Sequence, residues 1–538
     1  MPETVISRIR PGSRLDTPLC RLALDVAALT GRRRYGLAFL LGAAAAAAMS
    51  PVDMVPLLAV AFPGLLWLDD GSTSAGATFR LGWVFGFGFF LAGLYWIAAA
   101  LFVDLARFWW LVPFAAAGLP AGFAIYIAFA LLTTRLVVQR LQLSAAARVF
   151  VFAIAWSAAE WTRGHAFTGL PWNLVGYTWS GGFPGAIAML QSVAVVGIYG
   201  LSFITVLAFS LLSLLGSPRT APMHPLRRWA PGITAILLVT APALGGAVRL
   251  ASTPIDLTGT RLRLVQPSIT ESLKWQPAAA QDNFRRLIDL SRAPTTERLN
   301  AILWPEAATP FLLGRDRPAR DAIAAVVPKG GYVIAGALRT DPPPAPIANF
   351  WNSIEAVNAH GDIVAHYDKA HLVPFGEYVP FRKLLPIDKI TPGTTYLSPG
   401  PGPQTIALPG LPPFAPLVCY EAIFPGSIID EDDRPAWILN VTNDAWYGRS
   451  SGPYQHFAIA RTRAVEEDLP LIRVANNGIS GVIDPVGRVL AHTGLDAIGY
   501  VDSALPTAGS RTPYARVGNW MLLGLLLLGA VPVALRLG

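Results

Sequence analysis

Apolar residues gather in long uninterrupted blocks on either side of one polar stretch. Residues 81–103, 108–134, 192–216, 229–248 and 517–535 contain no Asp, Glu, Lys or Arg, and each block approaches the roughly 20 residues that a membrane-crossing helix needs. Together with three less clean segments they predict eight spans, at about 35–50, 53–68, 81–103, 109–133, 149–162, 192–216, 229–248 and 518–535. The fifth is short and carries Glu160 near its end. The first holds the Ala43 to Ala48 run and, with Arg32, Arg33 and Arg34 before it, has the outline of a signal peptide; the long basic segment ahead of it favours an uncleaved helix. The expected organisation is a leading segment over 1–34, a seven-span domain over 35–250, a globular insert over 251–516 and a final anchoring span within 517–538.

The insert has a different rhythm. Arg261 to Gln266, Asn300 to Trp304 and Tyr332 to Leu338 read as strands, with Gln281 to Arg292 and Arg317 to Val326 as helices between them. Phe350 to Asn358 and Asp362 to Tyr367, joined by Ala359-His360-Gly361, read as a hairpin. Phe414 to Val418 and Trp437 to Val441 are short buried strands, and Pro453 to Glu467 is a helix. Leu471 to Val474, Gly481 to Ile483 and Ile498 to Val501 close the segment as strands around Pro/Gly turns. Such alternation indicates a layered α/β domain. Proline and glycine at 391–413 forbid regular structure there, and a loop of that length is expected to act as a lid or a membrane-facing arm.

Composition agrees with the pattern. Hydrophobic residues make up 53% of the 538, charged residues 14%, and the mean hydropathy is +0.46, too apolar for an ordinary soluble enzyme of this size. Basic residues then set an orientation. Arg8, Arg10, Arg14, Arg21 and Arg32 to Arg34 precede the first span; Arg135, Arg140 and Arg148 follow the fourth, and Arg219, Arg227 and Arg228 the sixth, whereas the alternate loops offer only Arg107 and Arg163. Both termini are therefore expected in the cytoplasm and the insert outside it. The net charge of +8 is a topology signal and gives no support to nucleic-acid binding.

Only two cysteines are present, Cys20 on the expected inner side and Cys419 on the outer side, so they cannot pair within one chain. Cys419 ends an apolar run in Leu417-Val418-Cys419-Tyr420-Glu421. Upstream lie Glu306, in Leu303-Trp304-Pro305-Glu306-Ala307, and Lys369, in Tyr367-Asp368-Lys369. A carboxylate, an ammonium and a thiol make a base, a cationic stabiliser and a nucleophile. Each also has a plain reading: a buried structural thiol, a helix-start carboxylate and a solvated lysine. The chain uses only five lysines and otherwise prefers arginine, which favours a specific role for Lys369.

The ordered set Glu306, Lys369, Cys419, each at a predicted strand end, resembles the triad of the nitrilase superfamily. Further stretches share the resemblance: Leu264-Val265-Gln266-Pro267 with Leu273-Lys274-Trp275, Asn352-Ser353, Asp368 through Pro380, Asn443-Asp444-Ala445-Trp446-Tyr447-Gly448 and Arg473-Val474-Ala475-Asn476-Asn477-Gly478. With the spans, the similarity narrows to the membrane-embedded branch, the apolipoprotein N-acyltransferases. It implies an α-β-β-α sandwich inserted in a multi-pass helical membrane domain of the bacterial inner membrane, facing the periplasm. The implied reaction moves an acyl chain from a phospholipid, through a Cys419 thioester, to the α-amine of a diacylated apolipoprotein. Glu306 would be the base, and Lys369 with backbone N–H groups near Tyr420 would hold the oxyanion. By the same resemblance Glu377 would orient the lysine, Trp275, Asn352, Tyr420, Glu421 and Trp446 would support or line the pocket, and Trp172 would line a lipid entrance. An interfacial aromatic belt explains Trp172 equally well. No cofactor is implied, the seven histidines show no paired metal-ligand spacing, and a monomer is expected.

Two other functions fit parts of the pattern. A membrane-tethered amidase or nitrilase would share the triad but has no use for seven upstream spans. A polytopic transporter or scaffold would explain the spans, yet these contain almost no ionisable residues of the kind that line a transport path.

Overall fold

The computed structural model describes residues 17–217, 225–380, 383, 389–390 and 396–535. Arg8, Arg10, Arg14 and Arg219 of the orientation argument, and residues 391–395 of the Pro/Gly stretch, lie outside the described residues. The chain separates into two units. One takes the described residues through Tyr95, then Trp110–Ala251 and the chain from Arg516 onward; the other takes Trp96–Trp109 and Ser252–Ala515.

The first unit is helical. Its main helices are α1 (Pro18–Ala27), α2 (Gly31–Ala46), α3 (Leu58–Asp70), α4 (Ala75–Leu94), α5 (Leu119–Leu141), α6 (Ala145–His165), α7 (Val193–Leu211), α8 (Pro225–Ser252) and α12 (Trp520–Ala534), three further helices belonging to the other unit. Among the described residues, four helical stretches are long and apolar enough to cross a membrane: Ala75–Leu111, Phe114–Leu141, Val193–Gly216 and Arg228–Ser252; α12 is apolar but shorter. The remaining predicted spans fall on α2, α3 and α6. This is the architecture of a membrane protein. Helices α2 and α4 approach through glycine, since a Cβ on Gly42 would fall 2.0 Å from the Phe85 oxygen and one on Gly88 2.2 Å from that of Phe39.

Two polar groups on α6 are provided for inside this unit. Glu160 accepts from Trp156 Nε1 at 3.1 Å and from Val175 N at 2.8 Å. Arg163 donates to the oxygens of Leu170 and Trp172, both at 2.6 Å, and lies 5.0 Å from the Phe90 ring centre. Burial of these charged side chains is tolerable because each is hydrogen-bonded.

In the second unit, side-chain alternation along β1 (Leu257–Gln266) sets up the layers. Leu262 and Leu264 face a central core, whereas Val265 faces an outer core. The first sheet has the order β11-β1-β2-β3-β4-β5, with β2 (Ala301–Trp304), β3 (Tyr332–Thr340), β4 (Phe350–Val357), β5 (Ile363–Asp368) and β11 (Gly499–Pro506). The second has the order β10-β9-β8-β7-β6, formed by β6 (Phe414–Val418), β7 (Trp437–Thr442), β8 (Leu471–Ala475), β9 (Gly481–Ile483) and β10 (Val489–His492). Strands β1, β2 and β3 run parallel, as do β6, β7 and β8.

The two sheets face each other across Leu303, Ile334 and Ile354 from one side and Val418, Leu439, Val441, Ile472 and Val474 from the other. Helices α9 (Pro277–Ser291) and α10 (Arg317–Ala324) cover the outer face of the first sheet through Phe284, Leu287 and Ile323. Helix α11 (Gly452–Glu467) covers the second through Ala460 and Ala464. This is the expected α-β-β-α sandwich. Each fully buried Leu, Ile or Val contributes about 1.5–3 kcal/mol of burial free energy, so the central layer holds the strand ends firmly.

Within the predicted span 81–103, which lies inside the apolar stretch Ala75–Leu111, the helix changes type. The α-helix ends at Leu94, and a 3-10 segment, Tyr95–Asp104, follows. Trp96 explains the change: its ring packs edge-on to Tyr447 at 4.7 Å and its Nε1 donates to Gln455, both in the sandwich unit.

Candidate active site

Three strand ends deliver three chemistries. Glu306 follows β2 by two residues, Lys369 follows β5 directly, and Cys419 follows β6 directly. All three are buried. Gly336 of β3 lies under the Glu306 segment, where a Cβ would fall 2.3 Å from the Pro305 oxygen and 2.6 Å from Glu306 Cα, so only glycine lets the strands run this close.

Lys369 Nζ stands 3.0 Å from Glu377 Oε2 and 3.8 Å from Glu306 Oε1. Asn352, on β4, joins the two carboxylates: its amide donates to Glu306 Oε1 at 2.8 Å and to Glu377 Oε1 at 2.9 Å. The Lys369 N–H donates to the Asn352 oxygen at 2.8 Å, and Glu377 Oε2 also accepts from Val373 N at 2.7 Å. Two acceptors of this cluster remain unused. Among the described residues neither Glu306 Oε2 nor Asn352 Oδ1, both buried, has a hydrogen-bond partner, and a buried carboxylate oxygen left open in this way is an available proton acceptor.

The electrostatics follow from burial and these neighbours. Burial pushes the Glu306 carboxyl upward, and Lys369 opposes it. Burial would lower the Lys369 amine, but Glu377 and Glu306 outweigh it and hold the ammonium form. Burial, reinforced by the Glu306 charge, pushes the Cys419 thiol up to about 12. Such a thiol carries almost no thiolate at neutral pH, so its proton must leave as the sulfur reacts.

Cys419 sits in a left-handed backbone conformation with φ +51°, between β6 and the 3-10 turn Cys419–Ile423. For a non-glycine residue this costs on the order of 1 kcal/mol, and it gives a sharp elbow of the kind that presents a nucleophile. Glu421 braces the elbow. Its Oε2 accepts from Val418 N at 2.8 Å, while Oε1 accepts from Tyr367 Oη, Ala370 N and His371 N at 2.8, 2.7 and 3.1 Å. Both oxygens are therefore committed to protein donors that tie the Lys369 loop to the Cys419 turn, a supporting place beside the nucleophile.

The other predicted site residues are placed as follows. Tyr420 is buried with its ring edge-on to Phe424 at 5.1 Å and to His371 at 5.7 Å. Trp275 is half-buried and donates to Glu271 Oε1 at 2.7 Å. Trp446 is half-buried on the 3-10 turn Asp444–Tyr447. Trp172 is 1% exposed inside the helical unit, so an entrance lined by its ring would require that core to open.

The sequence analysis assigns no role to Lys274, Glu271 or Asn443. Lys274 is buried on the single turn Glu271–Lys274 and donates from Nζ to the main-chain oxygen of Glu306 at 2.9 Å. Burial lowers its pKa, while Glu271, Glu306 and Cys419 favour its charge. Glu271 in turn accepts from Asn443 at 2.7 Å, and Asn443 from Asn476 at 2.9 Å. The only sequence signal was the position of Lys274 beside Trp275. No group of three or more His, Cys, Asp or Glu side chains that could hold a metal ion occurs among the described residues.

Comparison with known proteins matches both units. Residues 41–211 match the family described as apolipoprotein N-acyltransferase N-terminal domain, and residues 261–512 match the carbon-nitrogen hydrolase family. An apolipoprotein N-acyltransferase of Rhodopseudomonas palustris is 39% identical over 96% of this chain and 98% of its own length. One from Brucella melitensis is 40% identical over 95% of this chain and 96% of its own. The chain belongs to the apolipoprotein N-acyltransferase family. It is an enzyme, with the nitrilase-like fold of the carbon-nitrogen hydrolases in one unit and the apolar helices of the apolipoprotein N-acyltransferases in the other. A solved structure of an amidase from Nesterenkonia sp. aligns with 51% of this chain and 99% of its own, at 18% identity and a TM-score of 0.36.

Proposed function

We propose that this chain transfers an acyl group from a membrane phospholipid to the α-amine of a diacylated apolipoprotein through a thioester on Cys419. The observation that carries the reading is the open Glu306 Oε2 in a buried cluster with Lys369, Asn352 and Glu377, electrostatically coupled to the Cys419 thiol. In the first half-reaction the thiol proton passes to Glu306 as sulfur attacks the ester carbonyl. Lys369 and the Tyr420 N–H hold the oxyanion, whose collapse breaks the ester C–O bond; Glu306 returns the proton to the departing lysophospholipid. In the second half-reaction the acceptor amine attacks the thioester carbonyl, Glu306 takes the amine proton, the C–S bond breaks as the amide forms, and Glu306 returns the proton to the Cys419 sulfur. Asn352 and Glu377 hold Lys369 and Glu306 in register throughout. A single copy of the chain carries the complete set, consistent with a monomer.

The test is what resolves the thioester. With phospholipid alone, intact mass should show one acyl group on Cys419 that persists. A diacylated lipopeptide with a free α-amine should discharge it to an N-acylated peptide, and the N-acetylated lipopeptide should leave it in place. Release of free fatty acid without peptide, as fast as turnover with peptide, would identify a hydrolase instead.

The organisation proposed with this function is a seven-span domain over 35–250, a catalytic insert over 251–516 and an anchoring span over 517–538, in the bacterial inner membrane. Both termini are cytoplasmic and the insert is periplasmic, supported by the arginine asymmetry of the loops. Reporter fusions near residue 330 should read as exported and those near residue 220 as cytoplasmic; the reversed pattern would overturn the orientation.

A further inference from the structure

Beneath Cys419 lies a buried polar group that the proposed chemistry does not use. His456, on α11, is 0% exposed; its Nε2 lies 3.2 Å from the main-chain oxygen of Cys419 and its Nδ1 2.9 Å from Asp444 Oδ1. Arg473 Nη2 reaches Asp444 Oδ2 and His456 Nδ1, each at 2.9 Å, and Thr442 donates to Asp444 Oδ1 at 3.0 Å. A carbonyl oxygen only accepts, so the imidazole must carry its hydrogen on Nε2 to satisfy this contact. Burial and the Arg473 charge lower the imidazole's pKa, which favours the neutral form; Nδ1 then accepts from Arg473, and Asp444 acts on the ring through Arg473, which donates to both of its oxygens, and not by a hydrogen bond of its own.

The consequence follows from the planarity of one peptide. In a trans peptide the C=O and the next residue's N–H point in opposite directions across a shared plane. A donor that holds the Cys419 oxygen therefore also sets the direction of the Tyr420 N–H. Cys419 needs such help, because its left-handed φ of +51° is one an L-residue does not hold at no cost.

We infer that His456, held by Arg473, which Asp444 anchors in turn, is a positioning residue that locks the Cys419–Tyr420 peptide plane and so aims the Tyr420 N–H at the oxyanion formed when Cys419 attacks an acyl ester. The inference deepens the proposed function and rests on Cys419 as its nucleophile.

Two reactions of the same sulfur separate this role from general support of the fold. Ester attack forms an oxyanion, whereas alkylation by iodoacetamide displaces iodide and forms none. The enzyme carries Cys20→Ala so that only Cys419 reports, and His456→Asn and His456→Gln are compared. The Gln amide nitrogen can reach the place of imidazole Nε2, while the shorter Asn amide matches Nδ1.

In His456→Asn, acyl-enzyme formation from phospholipid should fall about 100-fold, the size of losing one oxyanion donor, while iodoacetamide alkylation stays within about threefold of the parent. His456→Gln should recover acylation to within about tenfold of the parent. Unchanged acylation in His456→Asn, a parallel fall of acylation and alkylation, a Gln variant no better than Asn, or failure of either variant to fold would each overturn the inference. If the parent itself formed no acyl-enzyme, the proposed function would fall first, a result visible before any variant is compared.

Discussion

Cys419→Ala should form no acyl-enzyme with phospholipid and should lose transfer to a lipopeptide by on the order of 10⁴-fold or more, as deletion of a covalent nucleophile does elsewhere. The other cysteine cannot substitute, because Cys20 is buried on α1 in the helical unit. Nor should the loss reflect unfolding. Removing one sulfur atom from a buried site costs about 1 kcal/mol, and the brace from Glu421 to Val418 N uses a main-chain donor that alanine leaves intact. The checks are intact mass after incubation with phospholipid and thermal unfolding in detergent. Substantial transfer by a well-folded Cys419→Ala enzyme would rule out the covalent route.

Lys369→Met should have the second largest effect, and on two observables. The substitution keeps an unbranched stem but leaves Glu306 and Glu377 sharing Asn352 without the ammonium between them. Breaking a buried ion pair from one side costs about 3–5 kcal/mol, so unfolding in detergent should come markedly earlier. Acylation should fall about 10³-fold through loss of the oxyanion's cationic partner. The pH dependence has a defined sign. Lys369 opposes the upward push of burial on Glu306; without it the carboxyl holds its proton to higher pH, and the base form needed for attack appears later. Residual acylation should rise with pH along a limb displaced upward from the parent's. A limb that does not move would separate Lys369 from Glu306 and break the proposed division of labour.

The parts legible in the sequence were those in which chemistry sits at the end of an apolar run. Val418-Cys419 and Trp304-Pro305-Glu306 place a nucleophile and a carboxylate where fully buried strands stop, and Tyr367-Asp368-Lys369 places an ammonium where a half-exposed strand turns inward; the short apolar runs between turn residues located most of the strands themselves. What stayed hidden acts through the main chain. Lys274 donates to a carbonyl 32 positions away and His456 meets one 37 positions away, and a carbonyl oxygen has no residue type for a pattern to reveal. The resemblance gives Glu421 a supporting or pocket role without its contacts; the 3-10 turn folds its carboxylate back onto Val418 and across to Ala370 and His371. Strand β10 was missed because Val489 to His492 is only partly buried and has no clean alternation. Residues 81–103 do lie in one apolar helical stretch, but an uncharged run has no internal mark for where the α-helix gives way to 3-10 geometry.

That last stretch also bears on how the sandwich unit is bounded along the chain. Residues 252–515 contain both sheets and every member of the Glu306, Lys369 and Cys419 cluster, and so look like a natural excisable fragment. They omit Trp96–Trp109, and with it the ring that packs on Tyr447 and the indole that donates to Gln455. Tyr447 stands edge-on to His456 at 5.6 Å, so the missing piece lies two contacts from the residue under the elbow. The sandwich is assembled from two separate stretches of polypeptide, and the shorter is made before either sheet begins. A ribosome emits Trp96 more than 150 residues ahead of β1, so this piece of the unit is already synthesised before the turn and helix that carry Tyr447 and Gln455 exist.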